Sequence, residues 1–222
     1  MSRLLKGDTV TVVGVESDFA PDVMDSIGRL GAEISATVLL SQADWNLAGV
    51  APYQPDDIPA DLLTGNYFVT RNNPGQRKAK TEAARSLGFR HLVSIIDPTA
   101  VVSPTAEIGT GIYINAGAVV ASQTVLHDGV FVNRLAGIGH HSILEEFVSV
   151  GPGVSMGSKV KIGRGTMVGA GASIAPSVTV GCNTVIAAGA AVHKDVPSNV
   201  VVMGNPCRIA RTGIVGHKGY GV

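Results

Sequence analysis

From residue 96 onward the apolar positions of this chain recur every six residues. Stepping by six from Ile96 through Val102, Ile108 and Ile114 to Ile186 and Val192 meets an apolar residue at every stop. The fifth position of each hexad is small or β-branched, as at Ala100, Ala106, Ala118, Ala136 and Thr166. The second is often glycine: Gly109, Gly139, Gly151, Gly157, Gly163, Gly169 and Gly181. A helix of about 3.6 residues per turn cannot hold a six-residue repeat in phase. Six residues suit a short strand and a turn. Three hexads make one triangular coil, and coils stacked about 4.8 Å apart pair their strands in parallel. The first position then points into the prism as an aliphatic ladder. The fifth is small where the chain turns, and glycine eases the corners. The run makes about six coils and a prism roughly 27 Å tall. Such a solenoid exposes a strand edge at each end unless it is capped.

Residues 1–95 follow other periods. TVTVVGV, residues 9–15, reads as a buried strand. Residues 21–30 carry Val23, Ile27 and Leu30 at helical spacing and stop at Gly31. Residues 34–40 and 66–70 read as two more strands. Residues 74–87 form a helix with Pro74 at its start and Gly88 after its end. Residues 91–96 are a strand that runs into the prism, and residues 43–61, rich in Pro and Asp, are expected to be a loop. Alternating strands and helices predict a small parallel, Rossmann-like α/β domain. The expected division is an α/β domain over 1–95, the solenoid over 96–197 and a tail over 198–222.

Composition narrows the function. Lys plus Arg number 17 and Asp plus Glu number 17, so no basic field attracts nucleic acid or an anionic membrane. Two cysteines, Cys182 and Cys207, are too few for a disulfide framework and suit a reducing compartment. The apolar run near the N-terminus is short, lacks a cleavage-site pattern and is followed by Glu16 and Asp18, so no signal peptide is expected. No stretch approaches the roughly 20 apolar residues of a membrane span. A cytoplasmic protein without membrane insertion is the expectation.

The hexads resemble those of the hexapeptide-repeat acyltransferases, which implies a left-handed parallel β-helix. The handedness comes from the resemblance, because crossovers in general are right-handed. An α/β domain ahead of the helix, the segment IGHHSILEEFVSVGPG and the closing VVMGNPCR are similar to one branch of that family. The branch contains the sialic acid O-acetyltransferases and the nucleotide-amino-sugar N-acetyltransferases. In the closing stretch Cys207 stands where the family usually has Ala. The resemblance implies acetyl-CoA as acyl donor, a homotrimer with clefts between neighbouring prisms, and a sugar amine or hydroxyl, most often on a nucleotide-linked amino sugar, as acceptor.

His140 and His141 are the third and fourth residues of their hexad, outside the prism near a corner. The resemblance places the catalytic histidine at His140. An imidazole, with an ordinary pKa of about 6.5, can take the proton of an attacking amine or hydroxyl. His141 stands where the family usually carries an acidic residue that raises the basicity of the histidine; Glu145 or Glu146 is a substitute for that role. Ser158, one coil above His140, matches the residue whose N–H meets the thioester carbonyl. Ser149 stands where some members carry a histidine that contacts the cofactor. Ala170 and Ala188 match cofactor contacts, so acetyl-CoA is expected along one prism edge past Ser158, Ala170 and Ala188, with Lys194, Arg208 and Arg211 near its phosphates. Asn133 matches a substrate-side position, and Gly14 opens the turn that in the family is glycine-rich and binds substrate. Here that turn reads GVESDFA, and Glu16 and Asp18 would repel a phosphate.

Two other functions stay open. A non-catalytic scaffold or sugar-nucleotide-binding protein fits the altered turn. A zinc hydratase like the γ-type carbonic anhydrases needs three histidines with a pair at i and i+5. His127, His140 and His141 lack that spacing, and adjacent histidines on an extended chain point apart, so no metal is expected.

Overall fold

The computed structural model of the protein describes residues 3–41 and 51–222. The chain begins with a four-stranded parallel sheet. Its elements are β1 Thr9–Val13, α1 Ala20–Leu30, β2 Glu33–Val38, α2 Ala60–Leu63, β3 Asn66–Val69, α3 Pro74–Ser86 and β4 His91–Leu92. The sheet order is β2-β1-β3-β4. The predicted strands and both long helices form. Helix α1 stops at Gly31 in the left-handed conformation, and Asn73 caps α3 by accepting the Gln76 N–H. Part of the loop expected over 43–61 lies outside the described residues. The described part bridges Tyr53 to Val38 and then enters α2.

The strand predicted over 91–96 divides. His91–Leu92 pairs with β3, whereas Ile95–Ile96 pairs with Tyr113–Ile114 and starts the solenoid. From there the chain is a left-handed parallel β-helix of about six coils, with strands paired eighteen residues onward up to the last coil, as in Ile143↔Lys161. Almost all first-position residues are buried. Ile114, Val132, Leu144, Ile162, Val168, Ile186 and Val192 are fully enclosed in the prism.

The three faces differ. A domain face, with Tyr113 and Phe131 on its outside, is covered by the α/β domain, whose core they join. A second face carries Val101, Val119, Gly137, Ser155, Ser173 and Ala191 on its outside, so we term it the small-residue face. The third has Glu107 and Lys161 outside and is the charged face. The upper end is capped: Val200–Met203 adds to Val185–Ile186 and Arg208–Thr212 folds back antiparallel.

Two contacts fix the α/β domain on its face. Asp97, fully buried, accepts from Ser26 Oγ at 2.7 Å, Arg29 Nε at 2.9 Å, Thr99 N at 2.9 Å and Thr99 Oγ1 at 2.6 Å. Arg77 of α3 is buried without a carboxylate and donates instead to carbonyls. Nε reaches Gly129 O at 2.7 Å, one terminal nitrogen holds Arg71 O and Asn72 O, and the other holds Phe147 O, Val148 O and Ser149 Oγ. Burial pulls its pKa down to about 9, which leaves it charged at neutral pH.

Candidate active site

The corner that carries the two histidines begins at Ile138, buried at a first position. A Cβ on the next residue, Gly139, would lie 2.6 Å from Ser158 N and against the Gly157 carbonyl. Second-position glycine is therefore required by the close stacking of coils. It does not ease the corner, as the sequence suggested. The corner is the fourth position, where every residue from Gly111 to Gly189 has a φ between 51° and 69°. His141 takes that left-handed conformation at φ 60°, at a cost of about 1 kcal/mol for a residue with a Cβ.

That bend turns His141 back on its neighbour. The Nδ1 atoms of His140 and His141 are 2.8 Å apart, with ring centroids 5.0 Å apart and planes at 80°. The expectation that adjacent histidines point apart fails because the chain is not extended at this step. One Nδ1 must carry the shared proton. When it is on His140, His141 Nδ1 accepts and the Nε2 of His140 presents a lone pair outward. Both side chains are exposed in the single chain.

The coils also leave a regular set of unused donors. In each hexad the second- and sixth-position N–H groups bond to the coil above, as Gly139 to Met156 O and Ile143 to Val160 O. The fourth bonds to the coil below, as His141 to Ser122 O. The third-position N–H has no such partner. On the edge between charged and domain faces, side chains take it: Asp128 at Thr110, Glu145 at Arg164 and Ser198 at Cys182. Among the described residues, the N–H groups of His140, Ser158, Ala170 and Ala188 donate to nothing. These are the two edges that flank the small-residue face.

The expected cofactor track does not lie on one edge. Ser158 stands one coil above His140, between the small-residue and charged faces. Ala170 and Ala188 stand on the opposite side of the small-residue face. The edge of His140 continues through Ser158 and Pro176 to Lys194, three coils or about 14 Å away. There Lys194, Cys207 and Arg208 line a cleft of about 430 Å³. Arg211 lies elsewhere, lining a different cleft with Val185 and His217.

Asn133, Ser149 and Ala170 meet in a cleft of about 170 Å³ between the prism and the α/β domain, with Phe19 and Asn72 on its domain side. Asn133 Oδ1 accepts from Asn115 Nδ2 at 3.0 Å and from Arg134 N at 2.7 Å. Its Nδ2 has no partner among the described residues. Asn115, one coil below, was not singled out from the sequence, although its place eighteen residues before Asn133 was a signal for it. Ser149 does not fit the cofactor contact expected of it. It is 1% exposed, donates to Asn72 O at 2.5 Å and accepts from Arg77 at 3.0 Å, so its hydroxyl is consumed by the domain junction.

Gly14 also departs from expectation. It has φ 76° and is buried; its N–H donates to Val38 O at 2.8 Å and its carbonyl accepts Thr70 Oγ1 at 2.6 Å. No backbone group of Gly14 is left for a substrate. Two residues on, Glu16 forms a buried ion pair with Lys80. His127 and Glu145 directly follow the charged-face strands Val125–Leu126 and Ile143–Leu144, at that face's far edge from His140, so neither joins His140; Glu145 is spent on Arg164 N and Glu146 faces solvent on that same far edge. Among the described residues, no three His, Cys, Asp or Glu side chains converge as a metal site. No helix among them is long and apolar enough to cross a membrane.

No protein-family model matches the chain, and no curated protein matches it in sequence. Solved structures do. PerB from Caulobacter crescentus, in complex with CoA and GDP-perosamine, is 28% identical with a TM-score of 0.81 over 95% of this chain and 100% of that one. Variants of the perosamine N-acetyltransferase of that organism with one histidine replaced by Asn or Ala also hold CoA and GDP-perosamine. The acetyltransferase domain of PglB from Neisseria gonorrhoeae, in complex with acetyl coenzyme A, is 30% identical with a TM-score of 0.81 over 91% of this chain and 99% of that one. WeeI from Acinetobacter baumannii, 22% identical with a TM-score of 0.78 over 90% and 99%, shares the fold.

Proposed function

Because the chain belongs to the hexapeptide-repeat acyltransferases that acetylate sugars, we propose that it moves an acetyl group from acetyl-CoA to an amine of a sugar, with His140 as general base. The observation that carries this is the corner itself. A histidine oriented through Nδ1 by His141 lies one coil below an unused N–H at Ser158.

Bound acetyl-CoA supplies an activated acyl carbon as a thioester. His140 Nε2 takes a proton from the acceptor amine as its nitrogen bonds to that carbon. The positive charge that forms on His140 is shared with His141 Nδ1, a neutral acceptor. Ser158 N–H donates to the carbonyl oxygen as negative charge builds there. The C–S bond breaks, and His140 returns its proton to the departing sulfur, so the products are the acetamide and free CoA. A hydroxyl acceptor would use the same atoms. Lys194 and Arg208 are suited to the phosphates, about 14 Å along the edge from the base.

A homotrimer completes the site. The small-residue face is uncharged and carries Val101, 64% exposed, and Val119, 44% exposed. It lies between the two edges with unused N–H groups. Packing that face against neighbouring copies would bring His140 and Ser158 of one copy to Ala170, Ala188 and the Asn133 cleft of the next, the separation that a single chain cannot bridge. Asn133 Nδ2 would then donate to the acceptor. A cytoplasmic site of action is part of the same proposal.

The test is calorimetric titration with acetyl-CoA, followed by CoA release with amino sugars as acceptors. Binding of acetyl-CoA with CoA release that disappears in His140→Ala supports the reading. Full activity in His140→Ala removes the base assignment, and absence of acetyl-CoA binding removes the function.

A further inference from the structure

The ligand crevice of the α/β domain is filled by an ion pair of the chain's own. In a parallel sheet ordered β2-β1-β3-β4, the connections leave β1 and β3 in opposite directions. The crevice at the carboxyl ends of those strands is where such sheets take ligands, phosphates above all. Glu16 and Lys80 occupy it. Glu16 follows β1, and its carboxylate accepts from Leu40 N at 3.3 Å, Ser41 Oγ at 3.2 Å and Lys80 Nζ. Lys80 extends from α3 across Gly14, where a Cβ would lie 3.6 Å from its Cδ. The two side chains are 15% (Lys80) and 3% (Glu16) exposed.

A backbone N–H, a hydroxyl and an ammonium converging on one point are a donor set suited to a phosphate. Here a carboxylate has taken all three. Burial alone would push Glu16 up, but the bonds from Lys80 and from the Leu40 N–H outweigh it and hold the group below the usual carboxylate range. Glu16 is therefore ionised at neutral pH. The same turn exposes Asp18, and the first turn of α1 carries Asp22, 3.5 Å from Arg134. An incoming diphosphate would meet like charge from Glu16 and Asp18, with Lys80 already paired; Arg71, which follows β3 and whose Nε is buried without a partner among the described residues, is the cation left at that end of the sheet.

We propose that Glu16 is a specificity-determining residue that bars nucleoside diphosphates from this crevice, so that the acceptor is an amino sugar not anchored there through a nucleotide. This rests on the acetyl-transfer reading and departs from PerB, which is solved with GDP-perosamine. The residue acts by occupying the anion's place: Lys80 and the Leu40 N–H remain in position, already neutralised.

The experiment titrates GDP and UDP into the full chain, with saturating CoA present so that the cofactor cleft is taken. Wild type is compared with Glu16→Gln, nearly isosteric, and with Glu16→Gly. The expected result is no measurable nucleotide binding by wild type and a gain of at least about tenfold in a variant that frees Lys80. Micromolar binding of GDP or UDP by wild type overturns the proposal. So does failure of both folded variants to gain binding, since something other than Glu16 would then exclude the nucleotide. Acetyl-CoA binding, measured on the same samples, reports folding of each variant. Its absence in wild type would defeat the acetyl-transfer reading and leave the nucleotide result to be judged by itself.

Discussion

His140 and His141 share one hydrogen bond through their Nδ1 atoms, at 2.8 Å. The left-handed backbone of His141 makes it, at φ 60°. Any replacement at 141 must therefore satisfy both a backbone and an acceptor requirement. His141→Asn meets both, since Asn tolerates the left-handed region and offers a carbonyl oxygen. It is expected to keep kcat within about threefold, whereas His141→Ala loses about tenfold and His140→Ala about 10² to 10⁴-fold. Acetyl-CoA affinity should stay unchanged in all three. Equal kcat in His141→Ala and wild type would remove the orienting role.

The Ser149 hydroxyl belongs to the domain junction, bonded to Asn72 and Arg77. Ser149→Ala should leave acetyl-CoA affinity as it was and cost about 1 to 2 kcal/mol in stability, because Asn72 O and one Arg77 donor lose a buried partner. Arg77→Met strips several carbonyls at once and should cost about 3 to 5 kcal/mol. Denaturant unfolding of both variants checks this. A tighter or weaker acetyl-CoA complex in Ser149→Ala would return the residue to the cofactor.

Asp97 gives the junction an acid limit. Burial pushes its carboxyl up, but the Thr99 hydroxyl and N–H, Ser26 and Arg29 together hold it down at about 2. A folded-state pKa below the unfolded value of 3.8 means stability is full above that value and is lost as pH falls from there toward 2. Thermal melts from neutral pH to pH 2 should fall through that window. Asp97→Asn should flatten the fall while lowering stability at neutral pH. An unchanged slope would assign the acid sensitivity elsewhere.

Coil stacking at Gly139 supports a sharper test of the oxyanion donor. Gly139→Ala presses a methyl group onto Ser158 N and the Gly157 carbonyl. Displacing that N–H should cut kcat by at least about tenfold with His140 intact. Gly28→Ala, within α1 and with open space around its Cβ, is the control and should fold and turn over normally. Equal loss in both would mean that Ser158 is not the donor.

The C-terminal strap, the segment around His217 that docks on Asn73 at the start of α3, should respond to pH in the imidazole range. Asn73 Oδ1 is committed to Gln76 N, so its Nδ2 faces His217, reaching Nδ1 at 3.0 Å and the carbonyl at 3.1 Å. Nδ1 must then be unprotonated. Burial, and after it the charge of Lys218, hold His217 below its ordinary value. Docking is thus complete above that value and weakens as pH falls through the lowered one. Hydrogen exchange at the Gly219 and Tyr220 amides, both bonded in the docked strap, should accelerate relative to the core there.

The hexad repeat determined the prism by itself. A six-residue apolar period admits one local solution, a short strand and a corner, and stacking at eighteen residues follows from three corners per coil. The α/β elements were legible for the same reason, because Pro74 at a helix start, Gly31 and Gly88 after helix ends and apolar periodicity are local signals. The sequence also carried His140 and Ser158 to one edge through their separation alone. What it did not contain was direction. Only the folded chain shows that the fourth position is left-handed and turns His141 onto His140, since φ at a corner is set by coils above and below. The same eighteen-residue coil puts Ser158 on a different edge from Ala170 and Ala188, which are 12 and 30 residues away rather than a whole number of coils. Only the tertiary structure gives the Ser149 hydroxyl to Arg77 and brings Glu16 to Lys80 across 64 residues. Those contacts join segments that have no common period, so no repeat in the sequence could announce them.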